Sequence, residues 1–189
     1  MADLTVTEAT DGLGLPLAMG DCTLSAQAPG TAWLIAPYPG RRAACSAALA
    51  PLGLSFPAPG QGLAGQGLAA GGRRIVWAGR DQAFLFGAAP PEGLAEHAAL
   101  TDQSDGWAGL RLQGPDAEAV LARLVPLDLR IGAFPEDHVA RSLLGHMPLL
   151  IQRTGPETFA LMTYRSMAGS AVQEIAHALK AVAARRRLG

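Results

Sequence analysis

Apolar residues alternate with polar or small residues near position 110, where Leu110 and Leu112 are separated by Arg111. This two-residue period predicts a β-strand with one buried face. Pro115 then predicts the first turn of a helix, because proline there gives up only an N–H that has no helical partner. Apolar positions on one face support this helix: Ala117, Val120, Leu121 and Leu124.

The chain then continues with extended runs and a last helix. Residues 139–153 form one extended run interrupted at Gly145, and the turn residues 154–157 separate it from a second run at 158–164. Turn chemistry between two apolar runs predicts a hairpin. Apolar residues then recur at helical spacing from 168 to 182. The predicted order is strand, helix, strand, strand, helix.

The first half of the chain gives the same order of elements. Residues 57–72 are rich in glycine and proline and predict a flexible loop. The first ~30 residues are weakly patterned, and we expect them to form a loose lead-in. The predicted elements are a strand at 31–36, an alanine-rich helix at 41–52, strands at 74–78 and 83–86, and a helix from Pro90 to Leu100.

A constant shift of 75 positions superimposes the two halves without gaps, placing residues 49–52 on 124–127 and Phe84 on Phe159. Chance is the alternative explanation, because alanine and leucine are abundant here. We predict an α+β fold with two similar strand-helix-strand-strand-helix halves, whose antiparallel sheets pack about a pseudo-twofold axis. The first half covers residues 1–100 with the lead-in and the loop, and the second covers residues 101–189 with the C-terminal helix.

Composition excludes several classes of protein. The 189 residues are 49% hydrophobic and 16% charged, which suits a globular chain with a substantial core. A net charge of -1 gives no reason to expect binding to nucleic acid or to an anionic membrane. Residues 185–187 are three arginines, which we interpret as a solvated helix end favoured by the helix dipole. The first residues lack the pattern of a secretory signal, so we expect a cytoplasmic protein.

Candidate chemistry is sparse. Cys22 and Cys45 stand alone among small or apolar residues, which predicts two buried free thiols. The four histidines are scattered, so we expect no metal site. The glycine-rich loop has no lysine followed by serine or threonine, and we expect no nucleotide site there.

An ordered set of short motifs runs through residues 101–179. Asp102 and Ser104 precede a strand, residues 112–115 open a helix, and residues 126–129 close it. Arg165 and Ser166 precede the last helix. Together with the strand, turn and strand at 73–87, this set resembles the gamma subunit of heterotetrameric sarcosine oxidase over roughly residues 73–183.

That resemblance implies a non-catalytic structural subunit of a larger oxidase. In the family, the complex demethylates sarcosine to glycine with oxygen and tetrahydrofolate, and it forms hydrogen peroxide and methylenetetrahydrofolate. The resemblance implies alpha, beta and delta subunits as partners. It places FAD, FMN, NAD and tetrahydrofolate on partner subunits, and no cofactor on this chain.

The related folate-binding aminomethyltransferases, which the gamma subunit resembles in fold, place an acidic residue on a strand hairpin. The matching residues here, 142–148, carry no carboxylate, and His146 is the only titratable group among them. We therefore expect no catalytic residue. Two alternatives stay open: a stand-alone aminomethyltransferase-like protein that uses folate, and a small-molecule binding module.

Six residues remain as candidates for structural or subunit-contact roles. For the arginines, one explanation is half-buried ion pairs with Asp102, Asp105 and Asp116. The other is that Arg165 with Ser166 anchors a second subunit. For the tryptophan we expect core packing that helps to close the second half. The candidates are Trp107, Arg111, Arg141, His146, Arg165 and Ser166.

Overall fold

The structure is a computed structural model that describes residues 7–64 and 72–188. These residues form two antiparallel sheets, and each sheet carries helices on its outer face. The first sheet has the strand order β4-β5-β6-β3-β7, and the second has the order β1-β2-β8-β11-β10-β9. The α+β fold with antiparallel sheets that the sequence predicted is confirmed.

Most helices and strands lie close to the positions that the sequence predicted. The helices are α1 (Arg42–Leu49), α2 (Ala117–Leu121) and α3 (Ala168–Arg186), with 3-10 turns at Ala50–Leu52, Leu94–Glu96 and Arg165–Met167. The strands are β1 (Leu17–Met19), β2 (Cys22–Ala26), β3 (Ala32–Pro37), β4 (Gly62–Ala64), β5 (Arg74–Gly79), β6 (Gln82–Phe86), β7 (Ala98–Asp102), β8 (Trp107–Gln113), β9 (Val139–Leu144), β10 (Met147–Gly155) and β11 (Thr158–Tyr164).

The two halves repeat one arrangement of strands. The orders β4-β5-β6-β3 and β9-β10-β11-β8 are equivalent. Backbone hydrogen bonds repeat as well, because Trp77 N donates to Gln61 O (3.0 Å) and Arg153 N donates to His138 O (3.1 Å). Gln61 and His138 also pair directly in an antiparallel bridge. Because Gln61 and His138 occupy equivalent positions in the two halves and pair with each other, the pseudo-twofold axis passes through this bridge.

The first strands of the two halves are exchanged. β2 pairs with β8 of the second half, whereas β7 pairs with β3 of the first half. Gln27 N accordingly donates to Gly109 O (2.9 Å), and Gln103 N donates to Ala32 O (2.8 Å). An added Cβ at Gly109 would lie 2.0 Å from Gln27 O, so only glycine admits this crossing strand.

Three expectations for these elements were wrong. The N-terminal segment is not a loose lead-in of the first half, because β1 and β2 belong to the second sheet. Residues 90–100 do not form a helix: the chain bends at Gly93 (φ 79°), makes a 3-10 turn and enters β7. The loop predicted at 57–72 contains β4, and its residues 65–71 lie outside the described residues.

The equivalence of Phe84 and Phe159 was also wrong. Trp77 pairs with Ala83 across the β5–β6 hairpin, and Arg153 pairs with Phe159 across β10–β11, so the true shift in these strands is 76 positions. A shift that is wrong by one residue moves every side chain to the other face of the strand. Phe84 accordingly packs between the sheets, and Phe159 packs under the helices of the second half.

Three apolar clusters hold the layers together. The largest lies between the second sheet and helices α2 and α3, and a smaller one lies between the first sheet and α1. A third cluster joins the inner faces of the two sheets and includes Val76, Phe84, Trp107, Leu150 and Met162. Among the described helices, none has the length and apolar character needed to cross a membrane.

Candidate functional site

The junction between the halves is built around Trp107. Its side chain is only 6% exposed. The indole packs edge-on against Phe84, with ring centres 5.3 Å apart, and lies 4.8 Å from the ring of Tyr164. Its Nε1 donates to Gln103 Oε1 at 3.3 Å, which satisfies the buried donor. Trp107 therefore packs in the core and links the second sheet to the first.

Asp102 and Ser104 fasten the connection between β7 and β8. Asp102 Oδ1 accepts hydrogen bonds from Ser104 Oγ (2.6 Å) and Ser104 N (2.9 Å). The side-chain bond, followed by the backbone bond, lowers the pKa of the Asp102 carboxyl from its ordinary value of 3.8. Ser104 Oγ also accepts from Ala32 N at 3.1 Å, so it ties this turn to the first sheet. The motif that carried the sequence resemblance is thus a turn-stabilising device.

Arg165 and Ser166 lie in the 3-10 turn that precedes α3, beside a surface cleft of about 580 Å³. Arg165 N donates to Gly106 O at 3.0 Å, and its Nη2 donates to Thr7 O. Thr7, Gly106 and Tyr164 line the same cleft. Arg165 therefore connects the N-terminal segment to the β7–β8 turn, whereas Ser166 is exposed.

The other candidates do not converge on this cleft. Arg141 is exposed on β9, and its Nη1 donates to Ala78 O at 3.1 Å across the junction between the halves. Arg111 is exposed on β8, and His146 is exposed in the β9–β10 turn. The six candidates are therefore distributed over the junction and two separate surfaces.

Of the two explanations for the arginines, the one by ion pairs does not hold for the described residues. No ion pair joins Arg111, Arg141 or Arg165 to a carboxylate of residues 7–64 or 72–188. Asp116 pairs instead with Arg186 Nη2 at 2.5 Å, and Arg186 Nη1 lies 3.6 Å from Asp21. The basic end of α3 is therefore not merely solvated, because it clamps the β1–β2 turn and the start of α2.

Sequence reasoning missed Arg153, which is the largest fully buried side chain in the part of the chain that the structure describes and is 1% exposed. Its Nε donates to Phe134 O at 2.6 Å, and its two terminal nitrogens donate to the carbonyls of Pro156 and Leu129. Nη2 also lies 3.2 Å from Glu118 Oε2. The guanidinium lies 4.4 Å above the centre of the Phe159 ring. A cation with this many donors satisfied has a structural role, since buried charges must be paired and hydrogen-bonded.

A signal for Arg153 was present in the sequence. Leu149, Ile151 and Arg153 occupy alternate positions of one strand, so the arginine lies on the strand's buried face. A charged residue that continues an apolar face indicates a buried cation in need of partners. The carbonyl partners lie in loops at 129–134 and at Pro156, which a periodicity argument does not locate.

The described residues offer little for a metal or a reactive thiol. No three His, Cys, Asp or Glu side chains among them lie close enough together to hold a metal ion. Cys22 and Cys45 are buried free thiols, as the sequence predicted. Burial raises the pKa of Cys45 to about 11, which keeps this thiol protonated and unreactive near neutral pH.

A second cleft, of about 640 Å³, lies at the ends of β2, β8 and β11. It is lined by Asp21, Gln113, Glu157 and neighbouring threonine, glycine and proline residues. Binding sites for large cofactors are concave and mostly apolar, with a few converging polar groups. Neither this polar cleft nor the cleft beside Arg165 has that character.

No family model matches the chain. A curated relative, sarcosine oxidase subunit gamma from Arthrobacter sp., is 32% identical over 103 residues, which are 50% of this chain and 50% of that protein. The match thus spans about half the length of the curated relative. The gamma-subunit resemblance was predicted from residues 73–183.

Solved structures also match. Heterotetrameric sarcosine oxidase from Corynebacterium sp. U-96, in complex with pyrrole 2-carboxylate, gives a TM-score of 0.77 at 23% identity over 94% of this chain and 96% of that chain. The regulatory subunit of aspartate kinase from Thermus thermophilus gives a TM-score of only 0.38 at 13% identity, over 85% of this chain and 99% of that chain. The resemblance predicted from the sequence is confirmed: the chain is similar to a sarcosine oxidase gamma subunit and has the fold of a chain of the heterotetrameric enzyme.

Proposed function

We propose that this chain is the gamma-type subunit of a heterotetrameric sarcosine oxidase, with a structural role in assembly. The observation that carries the proposal is the 32% identity with a sarcosine oxidase gamma subunit over 103 residues. The common fold, which extends over 94% of the chain, supports it. Alpha, beta and delta subunits are the proposed partners.

The geometry of the described side chains supports a structural, non-catalytic role. Arg141, Arg153 and Arg165 direct their guanidinium groups at backbone carbonyls of the same chain. Asp102 and Asp116 are engaged by Ser104 and Arg186. Side chains committed to internal contacts position turns and strands, and they leave little ionisable chemistry for a substrate.

In the proposed assembly, the partner subunits hold FAD, FMN, NAD and tetrahydrofolate. They convert sarcosine to glycine with oxygen and tetrahydrofolate, and this chain contributes no catalytic group. As part of the same proposal, the assembly is cytoplasmic. The two buried free thiols suit a reducing compartment.

Calorimetric titration of the isolated chain tests whether the cofactors bind only to the partner subunits. The proposal expects no binding of tetrahydrofolate or flavin to the chain alone, and oxidase activity only when the other subunits are present. Micromolar binding that is lost in His146→Ala or Arg141→Ala would instead establish a stand-alone folate protein. Binding that is lost only in Arg165→Ala would point to a small-molecule module at the cleft beside α3.

A further inference from the structure

The outer edge of β7 carries backbone groups without a described partner. In an antiparallel pair, alternate residues direct N–H and C=O to the same neighbour. Gln103 N donates to Ala32 O, and Tyr38 N donates to His97 O, so the odd-numbered residues of this segment bond to β3. Ala98, Leu100 and Asp102 therefore turn their N–H and C=O groups to the opposite, outer edge.

The equivalent edge in the second sheet is occupied. β2 is the counterpart of β7, and Leu24 corresponds to Leu100 at a shift of 76 positions. Leu24 pairs with Leu17 of β1 and is fully buried, whereas Leu100 is partly exposed. β1 thus pairs with the outer edge of β2, whereas the equivalent outer edge of β7 has no described partner strand.

The described residues place no strand at the matching position of the first sheet. The counterpart of β1 is the segment near residues 93–95, which forms the 3-10 turn Leu94–Glu96 and buries Leu94 in the core. Within residues 7–64 and 72–188, no strand pairs with the outer edge of β7.

The open edge carries few of the features that prevent pairing. Proteins protect exposed edges with charged side chains, above all lysine, and with proline, bulges or very short strands. β7 has the sequence AALTD over five residues, with no lysine or proline, and its register with β3 is regular throughout. Its one charged side chain, Asp102, accepts hydrogen bonds from Ser104 at the end of the strand. A weakly protected edge of this length is a template for another strand.

We propose that an extended segment of another subunit pairs antiparallel with β7 and becomes the sixth strand of the first sheet. This inference rests on the proposed function, because it takes the partner from the same assembly. The occupant is an extended segment with an apolar residue opposite Leu100, as Leu17 lies opposite Leu24. That side chain covers Leu100 and Trp33, which pack half-buried at the rim of the first core.

Hydrogen exchange on the isolated chain and on the purified assembly tests the contact. The amides of Leu100 and Asp102 exchange rapidly in the isolated chain, and pairing slows them by at least about tenfold, because each gains a hydrogen bond. The amide of Thr101 bonds to β3 in both states, so it is the internal control.

The outcomes separate the inference from the proposed function. An assembly that forms while the Leu100 and Asp102 amides exchange as in the free chain overturns the inference and leaves the function standing. If the chain forms no complex with the other subunits, both fail. A dimer of the isolated chain that protects these amides identifies a second copy as the occupant, which also overturns the inference.

Three variants sharpen the test. Leu100→Pro removes an outward N–H without removing a bond to β3, and we expect about tenfold weaker assembly. Leu100→Ala keeps that N–H and gives a smaller loss. Ala99→Ser, whose exposed side chain lies on the other face, stays within about twofold of the wild type. Equal assembly of all three variants contradicts the inference, and thermal unfolding of each variant confirms that its fold is intact.

Discussion

The two halves share one strand order but differ in what covers them. The second sheet is backed by α3, a helix of 19 residues, and is extended by β1, whereas the first sheet is backed by α1, a helix of 8 residues. The N-terminal strands β1 and β2 therefore complete the second sheet, whereas the first sheet ends at β7, whose outer edge pairs with no strand of residues 7–64 or 72–188. Two sheets with one strand order can therefore differ at a single edge, which is paired by β1 in the second sheet and lacks a described partner strand in the first.

The strongest difference at equivalent positions is that between Trp77 and Arg153. Both residues donate their backbone N–H to the bridge at the pseudo-twofold axis. Trp77 is partly exposed, whereas Arg153 is fully buried and bonds to three loop carbonyls. The buried guanidinium of Arg153 thus stabilises the second half at a position where the first half has the partly exposed indole of Trp77.

The largest expected effect is that of Arg153→Ala. It leaves three carbonyls and the Glu118 carboxylate without their donor, so the free energy of unfolding should fall by about 3–5 kcal/mol. Trp77→Ala should cost about 1–2 kcal/mol, since its side chain is only partly buried. Urea denaturation followed by circular dichroism measures both. Equal costs would show that the two positions are energetically alike.

Leu161 and Leu85 are a matched pair for the two cores, at 2% and 0% exposure and a shift of 76 positions. Each Leu→Ala change should cost about 2–4 kcal/mol. We expect the smaller cost at Leu85, because a core with an open rim can collapse into the cavity. The free energies of unfolding of the two variants decide this. A larger cost at Leu85 would contradict the description of the first half as the looser one.

Ser104→Ala tests the hydrogen bonds that hold the β7–β8 turn to β3. The change removes the bond to Asp102 and leaves the buried Ala32 N–H without its acceptor, so about 1–2 kcal/mol should be lost. The corresponding connection between β2 and β3 has Ala28 at this position and lacks such a bond. Ser166→Ala, at an exposed serine, is the control and should change stability by less than about 0.5 kcal/mol.

The smallest expected effect is a pH dependence from Asp102. Hydrogen bonds from Ser104 hold the folded pKa of this carboxyl below 3.8, so its contribution is present above that pH and is lost as pH falls through the folded pKa. Asp102→Asn should remove this part of the acid dependence. In Ser104→Ala, the pKa of Asp102 should rise towards 3.8. Carbon-detected NMR titration measures it, and an unchanged pKa would contradict the assigned cause.

Local patterns predicted the hairpins and the repeat. The two-residue period at Leu110 and Leu112 and the turn at 154–157 depend on neighbouring residues, so sequence reasoning located them well. The segment at 90–100 was predicted wrongly, because its apolar residues fit a helix. Ala98 and Leu100 instead face the core on alternate positions of a strand.

Non-local features were out of reach of the same patterns. The exchange of β2 and β7 depends on pairing between residues that are far apart in sequence, and no local preference records it. The partners of Arg153 and Arg186 come from separate loops for the same reason. The shift of 75 positions differed from the structural one by a single residue, which was enough to exchange the faces of Phe84 and Phe159.

Native mass spectrometry tests whether this chain is a cofactor-free subunit of the assembly. The chain is expressed with a tag together with the alpha, beta and delta subunits, and the purified complex is then dissociated in steps. We expect one copy of this chain per complex, with the flavins, NAD and folate retained by the other subunits after this chain is released. A tagged chain that remains alone, or one that carries a flavin or folate when released, would contradict the account.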